Sequence, residues 1–469
     1  MELNRKDLPF QGLTTLLRNV VRLPGDIPMI ERSFEEAFPP EWINKNITDP
    51  TNELVVLRQI IPWQMIIDKL VQFYDSKNGR IGKSLRTMVA IIILSKLRQL
   101  SDREIINQVK ENRYMQYFCN VSDEELMTFL NPSTLCVIRK RLGEKGVAII
   151  EEHIFSRLER AGIIDKDTML MDSTVLESNI IYPNDVRLIH SAFNKMEIFT
   201  EAHQISPWWD QDQLKKRWRA FGLAKKDERA TYLAEFYMLF APALETFQIH
   251  VESLEVPQQD KDKSRNLLEL LTILDVQTQQ KLAGEKHIEN RIVSLDEIDA
   301  RPIKKGKSYP SCEFGTTLQM SFNRQGFMIT SENFIGKPDD KALYAGTLEL
   351  FLQRMRAYPG AAITDLGFRS RNNLKNTPEA VKCVFMGRSD DVSEDRQDFC
   401  RKARSATEGF IAVAKNLRGF GRSLYRGLKG DRVWTLLCQA AYNLKKFLQL
   451  YREEAIEEKC LVKLGLIKA

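Results

Sequence analysis

Two short apolar runs, each closed by an aspartate, most constrain what this chain can fold into. Thr168-Met169-Leu170-Met171 leads into Asp172, and Ala361-Ala362-Ile363-Thr364 leads into Asp365. Such runs are too short for helices and suit buried strands. Between them, Gly315 to Phe322 alternates like a strand, Asn323-Arg324-Gln325-Gly326 is a turn signal, and Phe327 to Thr330 returns. That pattern predicts a hairpin. Val381 to Met386 adds another short strand, and helix-like segments run from Ala342 to Tyr358 and from Ser370 to Lys375. Beyond Glu408 helices dominate to the end. The order predicts an α/β fold: a mixed sheet with helices on its faces.

The flanking segments read differently. From Pro62 to about Arg160 the period is helical: Trp63, Ile66, Ile67, Leu70 and Phe73 recur every three or four residues. A second helix is predicted from Ser84 to Leu97. Ser101 with Glu104 three residues on reads as a capping box. Asn131-Pro132-Ser133 starts another helix, which carries Arg139, Lys140 and Arg141. The divisions predicted are a proline-bearing leader over 1–55, an all-α domain over 56–160, an α/β domain over 165–445 and a helical tail over 446–469. The all-α domain reads as a DNA-binding unit with a basic recognition surface; a bundle used for dimerisation would carry the same pattern. Inside the α/β domain, about 186–298 lacks any strand signal and reads as a helical insertion. Its Trp208, Trp209 and Trp218 suit core packing, or stacking on bases.

Composition removes several function classes. The chain has 469 residues, 43% of them apolar and 28% charged, which fits two or three globular domains. Its longest apolar run, Met88 to Leu94, falls far short of the ~20 residues of a membrane span. The first six residues carry both charge signs and no apolar signal core follows. The seven cysteines are scattered with no C-x-x-C, and the five histidines are equally dispersed. Neither a disulfide framework nor a zinc site is expected; reduced thiols in a cytoplasmic protein fit.

Charge is uneven. From Arg401 to Arg432 nine Lys or Arg stand against two acids, so the segment carries +7 (9 − 2). A patch of that density suits a polyanion such as nucleic acid, although a solvated helical face has the same composition. Within it, Glu408 is a lone carboxylate on a predicted helix. Asp172, Asp365 and Glu408 together suit a hard divalent ion that works on phosphodiesters. Mg²⁺ prefers carboxylate oxygens, and a pair of such ions can activate a nucleophile and stabilise a leaving oxygen. Adjacent strand ends can bring the aspartates together, and a helix crossing the sheet can deliver the glutamate.

The words around these residues resemble the DDE transposases of bacterial insertion sequences, over most of the chain. Asp172-Ser173-Thr174-Val175-Leu176-Glu177-Ser178-Asn179-Ile180-Ile181-Tyr182-Pro183-Asn184-Asp185 resembles the family's first-aspartate segment, and Thr364-Asp365-Leu366-Gly367-Phe368-Arg369-Ser370 its second-aspartate turn. Val293-Ser294-Leu295, the stretch from Asp299 to Lys307 and Glu313-Phe314-Gly315 resemble the entry into the second strand. Glu408-Gly409, Lys415 and Tyr425-Arg426-Gly427 resemble the C-terminal signature, and about 79–119 resembles the N-terminal domain. Arg404, Glu408 and Lys415 keep the family's Arg-x3-Glu-x6-Lys spacing, while its preceding tyrosine is replaced by Arg401.

The resemblance implies an RNase H-like fold with helices on both faces of the sheet. It implies a metal triad of Asp172, Asp365 and Glu408 binding Mg²⁺, with Mn²⁺ as substitute. DNA contacts are then expected from Arg404, Lys415, Arg418, Arg422 and Arg426, and from Lys304, Lys305 and Lys307, which suit a solvated loop equally. The implied partners are double-stranded DNA, as terminal inverted repeats and as target, and a second copy in a synaptic homodimer; no membrane is involved. The implied location is the bacterial cytoplasm at the nucleoid. The implied activity is strand cleavage at the transposon ends and transfer of the 3′-hydroxyl into target DNA. A nuclease without strand transfer, a non-catalytic DNA-binding regulator derived from a transposase, and a helical scaffold are the alternatives.

Overall fold

The computed structural model describes residues 37–74, 84–122, 131–225, 228–253, 255–304, 312–388 and 392–468. Among the described residues seven helices come first: α1 (Pro40–Asn46), α2 (Glu53–Ile60), α3 (Trp63–Leu70), α4 (Leu85–Arg98), α5 (Asp102–Glu111), α6 (Arg113–Cys119) and α7 (Pro132–Ala161). The start signals in the sequence are realised. Ser84 caps α4, Ser101 and Glu104 close a capping box on α5, and Asn131 caps α7. α4 is buried from Leu85 to Leu97, as suits a helix that is apolar nearly all round. α7 breaks its helical geometry at Gly143, whose φ of 56° few other residues adopt. Most of the leader, 1–36, lies outside the described residues.

Seven strands form one mixed sheet: β1 (Thr168–Ser178), β2 (Arg301–Ile303), β3 (Glu313–Phe322), β4 (Met328–Ile335), β5 (Ala361–Thr364), β6 (Cys383–Met386) and β7 (Arg422–Ser423). The order is β2-β3-β1-β5-β6, with β4 also on β3 and β7 on β1. β3 and β4 are the predicted hairpin, both longer than predicted. β1 runs antiparallel to β3 and parallel to β5, and β5 is parallel to β6. Gly315 allows the β1–β3 approach: a Cβ there would lie 2.0 Å from the Leu176 carbonyl oxygen.

The period of two along β1 sends alternate side chains into different cores. Met169 and Met171 join the cluster that holds α12 (Asp340–Met355), through Leu343, Tyr344 and Phe351. Leu170 and Leu176 join a second cluster with Cys400, Ala403 and Ala414 of α14 (Glu394–Leu417). Helices therefore cover both faces. The first cluster continues without a break into α2, α3, α4, α5 and α7, so the helical region and the sheet share one core. Short α13 (Arg371–Asn376) precedes β6, and α15 (Gly427–Arg452) and α16 (Glu458–Leu464) end the chain.

The insertion is helical as expected: α8 (Asp185–His203), α9 (Gln211–Leu223), α10 (Arg229–Ser253) and α11 (Gln258–Leu282), around their own core. Trp208, Trp209 and Trp218 pack against that core, and the Trp208 indole N–H donates to the Ala243 carbonyl at 2.8 Å. The core-packing reading of these tryptophans holds over base stacking.

Two expectations are corrected. Asp172 is not at a strand end: β1 continues to Ser178, because Val175 and Leu176 still find buried places and β3 pairs as far as Glu177. Arg139 is not on a recognition surface. It is buried, forks onto Asp102 and lies over the Tyr425 ring at 4.9 Å. Beside it, Lys96 sits 3.0 Å from the centre of the Trp434 ring, and burial pushes its pKa down to about 8. These contacts tie α4, α5 and α7 to the start of α15.

The N-terminus of α15 is held by carboxylates, the charge sign its dipole favours. The backbone N–H groups of Gly427 and Leu428 donate to Glu297 at 2.8 Å and to Asp299 at 2.7 Å. Asp431, one turn in, is 3% exposed and accepts from the Thr316 hydroxyl at 2.9 Å. Burial pushes its pKa up to about 6, the Ser423 and Thr316 hydroxyls oppose the rise, and Glu297 and Asp299 add to it. A raised carboxyl pKa favours the folded state below its ordinary value and loses that contribution as pH climbs through 6. Asp431→Asn should therefore remove a fall in unfolding free energy of about 3 kcal/mol between pH 4 and pH 8. Urea unfolding of both proteins across that range checks it; parallel curves would contradict it.

Candidate functional site

The two aspartates meet through sheet register. β1 pairs with β5 as Thr168 with Ala361, Met169 with Ala362 and Leu170 with Ile363, a constant offset of 193. Continued two residues, that offset aligns Asp172 with Asp365 (172 + 193). Neighbouring strands are about 4.8 Å apart, so the two carboxylates leave the sheet side by side. Asp365 ends its strand as expected and caps a short 3₁₀ turn, accepting from the Gly367 N–H at 2.9 Å.

Gly387 makes room for that turn. It has φ +77°, and a Cβ there would lie 2.6 Å from the Leu366 nitrogen, a backbone atom that cannot swing away.

Glu408 arrives from α14. The helix lays Cys400, Ala403, Thr407 and Ala414 on the sheet, a stripe of small side chains that lets it lie close. Arg404 and Glu408 stand one turn apart beside this stripe. The Arg404 guanidinium reaches both acids: Nη2 is 3.9 Å from Asp172 Oδ2, and Nη1 is 3.1 Å from Glu408 Oε1 without hydrogen-bond geometry. Glu408 is 69% exposed at its side chain, against 17% for Asp172, so it is the member with freedom to move. Asp172 also accepts from the Ser173 N–H at 2.7 Å. Among the described residues no three of His, Cys, Asp and Glu converge closely enough to hold a metal as they stand.

A further acid stands at the edge of this site. Asp340, the first residue of α12, accepts from the Ser173 hydroxyl at 2.9 Å. The position of a Cβ on Gly367 lies 3.0 Å from Asp340 Oδ2 and 3.1 Å from Asp365 Oδ1, so the two carboxylates flank one point. The sequence reads Asp339-Asp340 as a turn and helix start, and Asp339 does cap α12. Nothing local in the sequence signals that Asp340 meets Asp365.

The expected DNA contacts divide. Lys415 is engaged inside the protein, 3.3 Å from the nearly buried Glu313. Arg422 is paired with Glu177 at 2.7 Å across β7 and β1. Arg426 is 80% exposed with Glu297 at 3.9 Å, and Arg418 is half-buried and donates to the Leu417 carbonyl. Lys304 is exposed, and its carbonyl accepts from Lys337. Lys305 and Lys307 lie outside the described residues.

Gly387→Ala should lower stability by about 1–3 kcal/mol through its φ alone, with the clash adding to that. Gly409→Ala, beside Glu408 with nothing within 4 Å of its Cβ position, should raise it by about 0.5–1 kcal/mol. Urea unfolding of the two variants checks the opposite signs.

The family comparison bears on the N-terminal helices. Residues 42–141 match the family model described as a transposase domain (DUF772), from α1 to just before the break at Gly143. A curated relative, an uncharacterised protein ORF8 in the nfe locus of Rhizobium meliloti, is 28% identical over 176 residues, covering 36% of this chain and 84% of the relative. No solved structure matches the chain. Among the described residues no helix is long and apolar enough to cross a membrane. The similarity of α1–α7 to a transposase domain points to transposase-family function.

Proposed function

We propose that the chain is a DNA transposase of an insertion sequence, which cleaves at terminal inverted repeats and transfers the 3′-hydroxyl end into target DNA. What carries this is the parallel β1–β5 register, which, continued past its last pair Leu170–Ile363, aligns Asp172 with Asp365, under a helix whose Arg404 faces both Asp172 and Glu408. Two features add support. The strand order, with an antiparallel β1-β3-β4 meander beside parallel β1, β5 and β6, suits an RNase H-like sheet. The transposase-domain similarity of residues 42–141 suits recognition of DNA ends by the same chain.

The donor chemistry fits a hard divalent ion: oxygen ligands only, beside a cationic side chain that now faces two of them. Asp172, Asp365 and Glu408 would hold Mg²⁺, or Mn²⁺ as substitute. When bound, the ions would supply activation of the attacking oxygen and charge stabilisation on the leaving oxygen. The chain's own part is positioning. Glu408 swings on its exposed side chain towards the aspartates. Arg404 exchanges its carboxylate contacts for a DNA phosphate, the bidentate partner its guanidinium suits. Arg418, Arg422 and Arg426 line the next stretch of backbone, and Lys415 keeps Glu313 neutralised beneath them. Two ends cut in concert imply a dimer assembled on DNA.

The test is a labelled duplex with the element's terminal repeat and a plasmid target, in Mg²⁺ or Mn²⁺. Wild type should give nicked ends and joined products. Asp172→Asn, Asp365→Asn and Glu408→Gln should each lose more than about a hundredfold in both, the loss that even outer-shell changes reach at metal sites. Cleavage without joining would leave a nuclease; specific binding without chemistry would leave a DNA-binding regulator.

Arg404 can be read separately. Arg404→Ala removes a cation that competes for the same carboxylates, so Mn²⁺ binding without DNA, followed by electron paramagnetic resonance, should tighten about fivefold, equivalent to about 1 kcal/mol. Weaker binding would mean that Arg404 props the site instead.

A further inference from the structure

We propose a second DNA contact at the opposite end of α12, where a basic cleft holds the duplex backbone away from the carboxylates. The inference rests on the transposase reading above. The cleft, about 300 Å³, lies between the second half of α7, the start of α3, the end of α12 and α16. Arg157 and Arg160 of α7, Arg356 after α12 and Lys463 of α16 line it, with Glu152 as the one acid among its lining residues. Among the described residues none of these four cations is in an ion pair, while Glu152 accepts from the Ser156 hydroxyl and lies 4.0 Å from Arg354.

Dipole compensation alone does not account for this charge. α7, α12 and α16 all end near the cleft, and each C-terminus carries about half a negative charge. Three such ends and Glu152 sum to about −2.5 against four cations, which leaves about +1.5 for an external anion. Two of the cations are also held in position. Arg157 donates to the Leu464 carbonyl at 3.1 Å. Arg354 Nη2 donates to both carboxylate oxygens of buried Glu151, at 2.5 and 2.6 Å, and its guanidinium lies 3.8 Å from the Phe155 ring centre, which fixes the end of α12 and so Arg356.

The path between the two ends suits a duplex. α12 begins at Asp340, beside Asp365, and its 16 residues span about 24 Å, or about seven base pairs of B-DNA. Its exposed face runs Lys341, Ala342, Ala345, Gly346, Glu349, Gln353 and then Arg356: small in the middle, cationic at both ends, with one acid. Arg160, Arg356 and Lys463 are open to solvent, so a backbone phosphate can reach them without a closed pocket.

Binding of a labelled duplex of about 25 base pairs, followed by fluorescence anisotropy in Ca²⁺ across KCl concentrations, tests this. The variant Arg160→Gln/Arg356→Gln/Lys463→Gln should make the slope of log K against log[KCl] less negative by about 2–3, and ethylation of phosphates about seven base pairs from the cleavage point should interfere with wild-type binding. Single Arg160→Gln and Arg356→Gln, each at an exposed position, should give about one unit apiece and guard against misfolding of the triple variant. An unchanged slope would overturn the contact. So would binding of inorganic phosphate to wild type, lost in the triple variant, with duplex binding intact, because the cleft would then serve a small anion. If wild type still cuts and joins in either case, only the second contact fails; if wild type binds no duplex, the transposase reading fails with it.

Discussion

β1 is the strand on which the rest of the molecule depends, because it is paired on both edges and buried on both faces. Its antiparallel pairing with β3 fixes its direction, and its parallel pairing with β5 fixes the level at which Asp365 leaves the sheet. A slip of one residue would turn every β1 side chain to the opposite face and send Asp172 away from α14. The two cores oppose such a slip. Met169 and Met171 belong to the cluster shared with α4, α7 and α12, while Leu170 and Leu176 belong to the cluster under α14. Because the first cluster runs on into the N-terminal helices, the transposase-like region and the sheet that carries Asp172 are joined through one packed core.

The charge pattern shows which groups serve stability and which remain for a ligand. Arg139 with Asp102, Arg354 with Glu151 and Lys415 with Glu313 are largely buried pairs, and removing one partner of such a pair leaves a costly lone charge. Arg404 differs: it faces two acids from 3.9 and 3.1 Å, and one of those acids is mostly exposed. Charges held this loosely contribute little to folding and are free to exchange partners. The carboxylates are thus neutralised in part by a side chain that, under the proposed function, would exchange them for a DNA phosphate.

Much of this architecture was legible in the sequence because its signals are local. Ser101 with Glu104, Asn131 before Pro132, and the turn at Asn323–Gly326 each announce a helix start or a hairpin through neighbouring residues alone. The apolar runs before Asp172 and Asp365 marked β1 and β5, but not the length of β1, because Thr174, Val175 and Leu176 are held by β3, which lies more than 130 residues further on. The same limit applied to Arg139, whose basic neighbours suggested a surface while its partners, Asp102 and Tyr425, come from distant segments. Asp340 was legible as a helix start and not as a neighbour of Asp365, and the conflict between Lys415 as a DNA contact and Lys415 as the partner of Glu313 exists only in three dimensions.

Under the proposed function Asp172, Asp365 and Glu408 share a divalent ion. Loading the protein with Fe²⁺ in place of Mg²⁺ and adding ascorbate and peroxide generates hydroxyl radicals that cut the backbone beside the bound ion. Cuts are expected close to 172, 365 and 408, suppressed by excess Mg²⁺ and absent in Asp172→Asn. Cuts confined to other segments, or unchanged by that substitution, would contradict it.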